Sequence, residues 1–335
     1  MYRHLLVPLD GSDLSIETVS SAVNLARTLG ARVSFLHVSD PDACAVNGEA
    51  GTMHPGLPDD HAHACQDRAR AQLTKAESAA RALGVPCNSL IHTGTATQDV
   101  ILDTARAAGC DLIFMASSAR SATTGMGSPM LTLLATTQVP VLVSPPRDIG
   151  HMHPVIVLIR DKYRSLATVL HAWLNLLSRC ERQGLPADTP LMRAMAHCIA
   201  EFPVALHQPL ECERLFTVLR ERTAVVHAEL DELERQHERE RAMAEALTGL
   251  VERYDQDNTS IAQLRDAVDT YARFMWEHMG RVEGVILPIA QRYLTEADWN
   301  DIESAPRRQV GPRIASDEEA VFQQLLSRIN HLATP

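Results

Sequence analysis

The stretch HLLVPLDGS, from His4 to Ser12, decides how the first half of the chain folds. A short apolar run is followed at once by Asp-Gly-Ser, so a buried strand ends in a polar turn. A continuous run without polar alternation is typical of a parallel strand that is covered on both faces. The stretch therefore predicts a parallel sheet as the core of the N-terminal part.

Further apolar runs follow, and amphipathic segments separate them. The predicted strands are His4–Leu9, Arg32–Val38, Val85–Ile91, Leu112–Ala116 and Val139–Ser144, and the predicted helices are Leu14–Leu29, Ala62–Leu83, Gln98–Ala108 and Ser128–Thr137. Strands that alternate with helices build a parallel sheet with helices on both faces. We therefore expect an α/β domain with a five-stranded parallel sheet over residues 1–146.

The pattern changes after Pro145-Pro146, and residues 147–154 are interpreted as a linker. Beyond it no strand pattern appears. Long amphipathic segments over 155–182, 190–221, 224–254 and 259–292 predict an all-α, up-down four-helix bundle. A last helix is expected over 317–332, so that the helical domain spans residues 155–332.

Composition excludes several functional classes. The formal net charge of −11 argues against a nucleic-acid partner and against an anionic membrane surface. The chain has no apolar run of about eighteen residues and no signal-peptide pattern at its start, so we expect no membrane partner. The seven cysteines are scattered without a CxxC pair, which argues against a disulfide framework and favours a cytoplasmic location.

Three histidines of the helical part, His207, His237 and His278, lie in mid-segment among large apolar residues. In an up-down bundle, facing residues are equidistant from the turn that joins their helices. The midpoint of 207 and 237 is 222, and that of 237 and 278 falls between 257 and 258, both at predicted breaks. The three imidazoles therefore share one level, and the same projection through the break near 185 adds Tyr163.

Two carboxylates extend this layer. Glu211 is four residues after His207 and shares its helix face. Glu283 is five residues after His278, about 140° around an ideal helix, and it reaches the layer only if the helix widens locally, as in a π-bulge. By contrast, the charge run Glu229–Glu240 is interpreted as mostly a solvated helix face.

The N-terminal part, residues 1–145, resembles the universal stress protein family in its opening strand and turn, Val7 to Ser12, and in its closing strand, Val139–Val143. In nucleotide-binding members an Asp lies by the adenosine, and a glycine-rich loop after the fourth strand binds the phosphates. The resemblance implies ATP or another adenine nucleotide as cofactor, with Asp10, Gly127 and Ser128 at its site.

The phosphate loop departs from the family pattern, because Ala116 and Ala119 replace its two leading glycines and the loop is shorter. A Cβ atom at these positions obstructs close approach of the backbone to a ligand. Two interpretations stay open: nucleotide binding, or a fold that is kept for packing and dimerisation.

Residues 155–332 resemble the hemerythrin-like HHE cation-binding family. His207 to Glu211 matches its H-xxx-E helix, His237 its third-helix histidine, and His278 to Glu283 its fourth helix, which continues into an apolar run and a proline. That family binds a pair of non-haem irons bridged by oxygen and two carboxylates. The resemblance implies two irons per chain, bound by His207, Glu211, His237, His278 and Glu283, and the projection through the break near 185 adds Tyr163 to this ligand set.

Tyr163 stands where the family has a histidine, and it has two interpretations. A ferric ion lowers the pKa of a phenol enough for it to ligate; otherwise the ring only fills the space of the missing histidine. Iron suits the oxygen-rich ligand set better than zinc, which prefers closed four-coordinate sites.

Together the two resemblances predict a stress-response protein that senses or handles oxygen, nitric oxide or peroxide at the metal and forms a homodimer through its α/β domain. Outside the metal layer, the sequence shows no acid–base or nucleophile constellation. Two alternatives stay open: a di-iron enzyme with catalase- or oxidase-like activity, and a metal-free interaction module with a decayed site.

Overall fold

The computed structural model describes residues 1–10, 13–39, 58–116, 129–144, 152–201, 210–256 and 259–304. Two compact units are distinguished. The first comprises Met1–His151 together with Trp276–Pro288, and the second comprises the rest of the described chain.

The first unit is built on a parallel sheet. Its strands are β1 (His4–Leu9), β2 (Arg32–Ser39), β3 (Cys87–Thr93), β4 (Leu112–Ala116) and β5 (Val141–Ser144), and helices α1 (Asp13–Leu29), α2 (Pro58–Ala82), α3 (Thr97–Ala108) and α4 (Pro129–Thr136) alternate with them. The strand order is β3-β2-β1-β4-β5 and every pairing is parallel, which confirms the predicted sheet.

The central strand behaves as its sequence predicts. Leu5, Leu6 and Val7 of β1 are fully buried, as expected for a strand covered on both faces. Strands β3 and β5 begin later than predicted, immediately after Pro86 and at Val141 after Pro140. Proline has no N–H to donate to a sheet ladder, so each proline marks the edge of its strand.

The C-terminal part is helical, as predicted. Its α-helices are α5 (Pro154–Gln183), α6 (Thr189–Glu201), α7 (Thr217–Arg222), α8 (His227–Asp255), α9 (Ile261–Arg281), α10 (Leu287–Tyr293) and α11 (Glu296–Ser304). Helix α5 ends at the predicted break, where Gly184 adopts a left-handed conformation with φ of 64°. The helix expected over 317–332 lies outside the described residues.

Two π-helical segments interrupt the predicted helices, and the second of them lies where Glu283 needs a locally widened helix to reach the layer. The first, Glu211–Phe216, precedes α7, and the second, Val282–Ile286, lies between α9 and α10. A π-helical turn contains an extra residue and shifts the side chains that follow it around the helix. Both segments begin at or beside a predicted carboxylate ligand, so they bear directly on the candidate site.

The cysteines differ in one place from expectation. Cys87, Cys110, Cys180, Cys198 and Cys212 have free thiols, whereas Cys65 is disulfide-bonded. The sequence argues against a disulfide framework, and Cys65 is the cysteine at which the structure departs from that expectation. Among the described helices, none is both long enough and apolar enough to cross a bilayer.

Candidate metal centre

Glu211 places a carboxylate in the helical core. It is the first residue of the first π-helical segment, and none of its surface is exposed. The hydroxyl of Tyr163, which is equally buried on α5, donates a hydrogen bond to Oε1 of Glu211. Tyr163 thus lies directly against a predicted ligand, and in this structure its partner is that carboxylate.

His237 approaches the same carboxylate from α8. Its Nε2 atom is 3.2 Å from Oε2 of Glu211, and its Nδ1 atom is 2.9 Å from Sγ of Cys212. The ring of Phe216 stacks on the imidazole at a centroid distance of 6.2 Å. Contacts at both nitrogens and on the ring face fix the orientation of the imidazole, as is usual for ligating histidines.

His278, on α9, completes a cluster with these two residues. Glu211, His237 and His278 are all buried, and each offers one ligand atom within 4.8 Å of those of the other two. Burial of a carboxylate beside two imidazoles is costly unless a cation or a proton compensates the charge. Two histidine nitrogens and one carboxylate oxygen are a ligand set that non-haem iron uses, so the residues present fit the metal that the resemblance implies.

Glu283 lies at the start of the second π-helical segment, where its spacing from His278 requires a widened helix. Its Oε2 atom accepts a hydrogen bond from the ammonium of Lys75 at 3.0 Å. The carboxylate is therefore paired with a lysine of α2 in this structure, and the three-residue cluster does not include it.

The remaining predicted residues are distributed as follows. His207, Gly127 and Ser128 lie outside the described residues. Asp10 is exposed at the end of β1, and its Oδ1 atom accepts a 2.6 Å hydrogen bond from the Ser15 hydroxyl. The predicted nucleotide site is thus described only at Asp10.

Glu240 is a further buried carboxylate that was not predicted from the sequence: it is almost fully buried although it ends the charge run interpreted as a solvated face. Tyr271 donates a hydrogen bond to its Oε1 atom at 3.2 Å. Burial, together with the neighbouring charge of Glu240, raises the pKa of Tyr271 well above its ordinary value, so this phenol stays protonated. Its position three residues after His237 is the only signal in the sequence.

Comparison with protein families identifies both halves. Residues 1–145 match the universal stress protein family, and residues 166–290 match the hemerythrin HHE cation binding domain. The chain is therefore a universal stress protein domain followed by a hemerythrin domain, which confirms the predicted fusion. None of the curated proteins matches the chain.

Several universal stress proteins of known structure resemble less than half of the chain. A universal stress protein family member from Burkholderia pseudomallei is 24% identical, with 44% of this chain and 97% of that chain covered and a TM-score of 0.34. UspA from Lactobacillus plantarum is 22% identical, with 42% and 97% covered and a TM-score of 0.31. A universal stress protein from Archaeoglobus fulgidus, solved in complex with dAMP, is 21% identical, with 42% and 97% covered and a TM-score of 0.31.

Proposed function

We propose that this chain is a stress-response protein that binds non-haem iron in its hemerythrin domain and uses it to sense or handle oxygen, nitric oxide or peroxide. One observation supports the metal above all others: Glu211, His237 and His278 bring their ligand atoms within 4.8 Å of one another in a buried site. Iron bound there supplies coordination positions that a small diatomic or peroxide ligand can occupy.

The proposal extends to two irons per chain. The three-residue cluster provides ligands for one ion, and a bridging carboxylate gives one oxygen to each of two ions. Glu211 has both of its oxygens within the buried core, one facing Tyr163 and one facing His237. A second ion needs further ligands, for which the resemblance supplies Glu283 and His207. Nucleotide binding and the homodimer stay predictions for the α/β domain.

Iron content tests the proposal directly. Full-length protein is loaded with ferrous iron without oxygen, desalted and assayed, and we expect about two irons per chain. His237→Ala and His278→Ala should lose the iron. His227→Ala is the matched control, because His227 lies on α8 as well but contacts the backbone oxygen of Arg220 at 3.1 Å. Absence of iron from the wild type would exclude the metal site and leave the metal-free interaction module.

The role of Tyr163 needs a spectroscopic test. If its phenolate ligates ferric iron, oxidised wild-type protein has a visible charge-transfer band, and Tyr163→Phe abolishes the band while iron remains bound. An unchanged spectrum in the variant would show that Tyr163 only orients Glu211. Turnover of peroxide by the loaded wild type, absent from His237→Ala, would favour the enzyme alternative.

A further inference from the structure

Lys75 is one of only two lysines in the sequence. The sequence has 31 lysines and arginines, and all but Lys75 and Lys162 are arginine. Arginine forms a rigid fork that grips both oxygens of a carboxylate, whereas lysine is a compact point charge on a flexible stem. A lysine is thus better suited than an arginine to a carboxylate that must at times be released.

Lys75 and Glu283 both belong to the first compact unit, and their ion pair is nearly removed from solvent. The exposed fraction of the side chain is 18% for Lys75 and 4% for Glu283. A buried ion pair is weakly screened, so the ammonium and the carboxylate attract each other more strongly than they would at the surface. Whether the Glu283 carboxylate can bind another cation therefore depends on where the ammonium of Lys75 lies.

The backbone of α2 is held close to the second π-helical segment, which fixes the base of the Lys75 side chain. A Cβ atom at Gly280 would lie 2.6 Å from Cα of Lys75, and one at Gly284 would lie 2.5 Å from Cβ of Ala79. The Ser78 hydroxyl also donates a 2.7 Å hydrogen bond to the carbonyl oxygen of Glu277. A cavity of about 110 Å³ lies beside the ion pair and is lined by Ser15, Gln72, Lys75 and Glu283 among others, which leaves space for the ammonium to move.

We propose that Lys75 is a positioning residue that withholds Glu283 from the metal and thereby controls occupancy of the second iron position. The inference rests on the proposed iron site and deepens it. A carboxylate that bridges two metals gives one oxygen to each, and here one oxygen of Glu283 is bonded to an ammonium. A metal dication and an ammonium on the same buried carboxylate repel each other, so binding of the second iron displaces Lys75. By thermodynamic reciprocity, packing of α2 that keeps Lys75 bonded to Glu283 lowers the affinity for the second iron.

Two substitutions at Lys75 should act in opposite directions. We expect Lys75→Met to tighten binding of the second ferrous ion about tenfold, because the competing charge is gone. We expect Lys75→Arg to weaken that binding about tenfold, because a guanidinium can donate hydrogen bonds to both oxygens of the Glu283 carboxylate. Anaerobic calorimetric titration of the full chain with ferrous iron measures both. Arg81→Met is the matched control, because Arg81 is also on α2 and its guanidinium lies 3.9 Å from the Glu277 carboxylate. This variant should bind the first and the second ferrous ion with the affinities of the wild type.

The outcomes separate this inference from the proposed function. If the wild type and Lys75→Met bind one iron with the same affinity and no second iron, the inference fails and the iron site stands. Shifts of the same sign in Lys75→Met and Lys75→Arg would also overturn the inference, because they indicate a merely structural role. If the wild type binds no iron at all, both proposals fail.

A measurement on the wild type avoids dependence on how the variants fold. Protein labelled with ¹³C at the lysine ε-carbon should give one signal for Lys75 and one for Lys162. Zinc serves as a diamagnetic probe. The Lys75 signal should move with the second equivalent of zinc, as the ammonium leaves Glu283. A Lys75 signal that stays fixed while two equivalents bind would overturn the inference.

Discussion

At the scale of single residues, the candidate site depends on how His237 is oriented. A metal ion bound at Nε2 requires the proton of the imidazole to be on Nδ1, and that atom is 2.9 Å from Sγ of Cys212. The sulfur then accepts a hydrogen bond from Nδ1. Outer contacts of this kind are part of a metal site, because they fix the tautomer and raise the basicity of the ligand.

Replacement of Cys212 tests this contact. We expect Cys212→Ala to weaken binding of the first ferrous ion by about tenfold to a hundredfold, the usual effect of losing such a partner. Cys212→Ser restores a hydrogen-bond acceptor and should recover most of the affinity. Cys198→Ala is the control, since Cys198 is a buried free thiol on α6 whose pKa burial raises to about 12. Equal affinities in Cys212→Ala and Cys198→Ala would mean that Cys212 only fills space.

The sequence identifies some of these residues and not others, for a physical reason. His237 is predictable because its distance from two predicted turns sets it at the same level of the bundle as two other histidines, although it lies inside a charge run. Glu240 is not predictable in the same way, because it ends a run of charges in which nearly every face of the helix has a carboxylate. Which of these carboxylates faces inward depends on how α8 is rotated about its axis, and the helices that pack against α8 determine that rotation.

At the scale of elements, the two π-helical segments and a pair of glycines decide which side chains face one another. The need for a widened helix at Glu283 follows from its spacing to His278, and the structure has a π-helix at Val282–Ile286. No comparable spacing announces the segment Glu211–Phe216. The close packing of Gly280 and Gly284 against α2 also has no local signal, because it depends on residues about 200 positions earlier in the chain.

The glycine pair leads to a stability prediction. An added Cβ at either position lies well inside contact distance of α2, so Gly280→Ala and Gly284→Ala should each destabilise the fold by about 1–3 kcal/mol, the usual effect of overpacking. Gly249→Ala is the matched control in α8, where an added Cβ meets only the flexible end of Arg253 at 3.4 Å. That change should instead stabilise by about 0.5–1 kcal/mol through helix propensity.

Denaturant unfolding of the three variants gives these free energies. The expected result is opposite signs for Gly249→Ala and for the pair that faces α2. If Gly280→Ala and Gly284→Ala are as stable as the wild type, then α2 and the second π-helical segment can separate at little cost. The fixed base that the Lys75 side chain needs would then be absent.

At the scale of the whole molecule, the predicted metal ligands and the packing contacts lie in the same short stretch of sequence. His278, Gly280, Glu283 and Gly284 fall within Trp276–Pro288, which the structure groups with the universal stress protein part. The sequence shows where one family pattern ends and the next begins, because each pattern is local. It does not show this grouping, which arises from contacts distant in sequence. Since His278 is one of the three clustered ligand residues, a metal bound there is expected to stabilise the folded chain.

Thermal unfolding of the full chain checks this expectation. A ligand that binds only the folded state at a hundred times its dissociation constant adds about 2.7 kcal/mol of stability. For compact units of this size, about 1 kcal/mol of added stability raises the melting temperature by roughly 2–4 °C. Ferrous iron should therefore raise the melting temperature by about 5–10 °C. His237→Ala should show no such rise, and His227→Ala should retain it. ATP, added alone and then with iron, reports on the α/β domain in the same experiment. If both ligands raise the melting temperature and their stabilisation energies do not add, the two sites are coupled; if the energies add, each site acts independently.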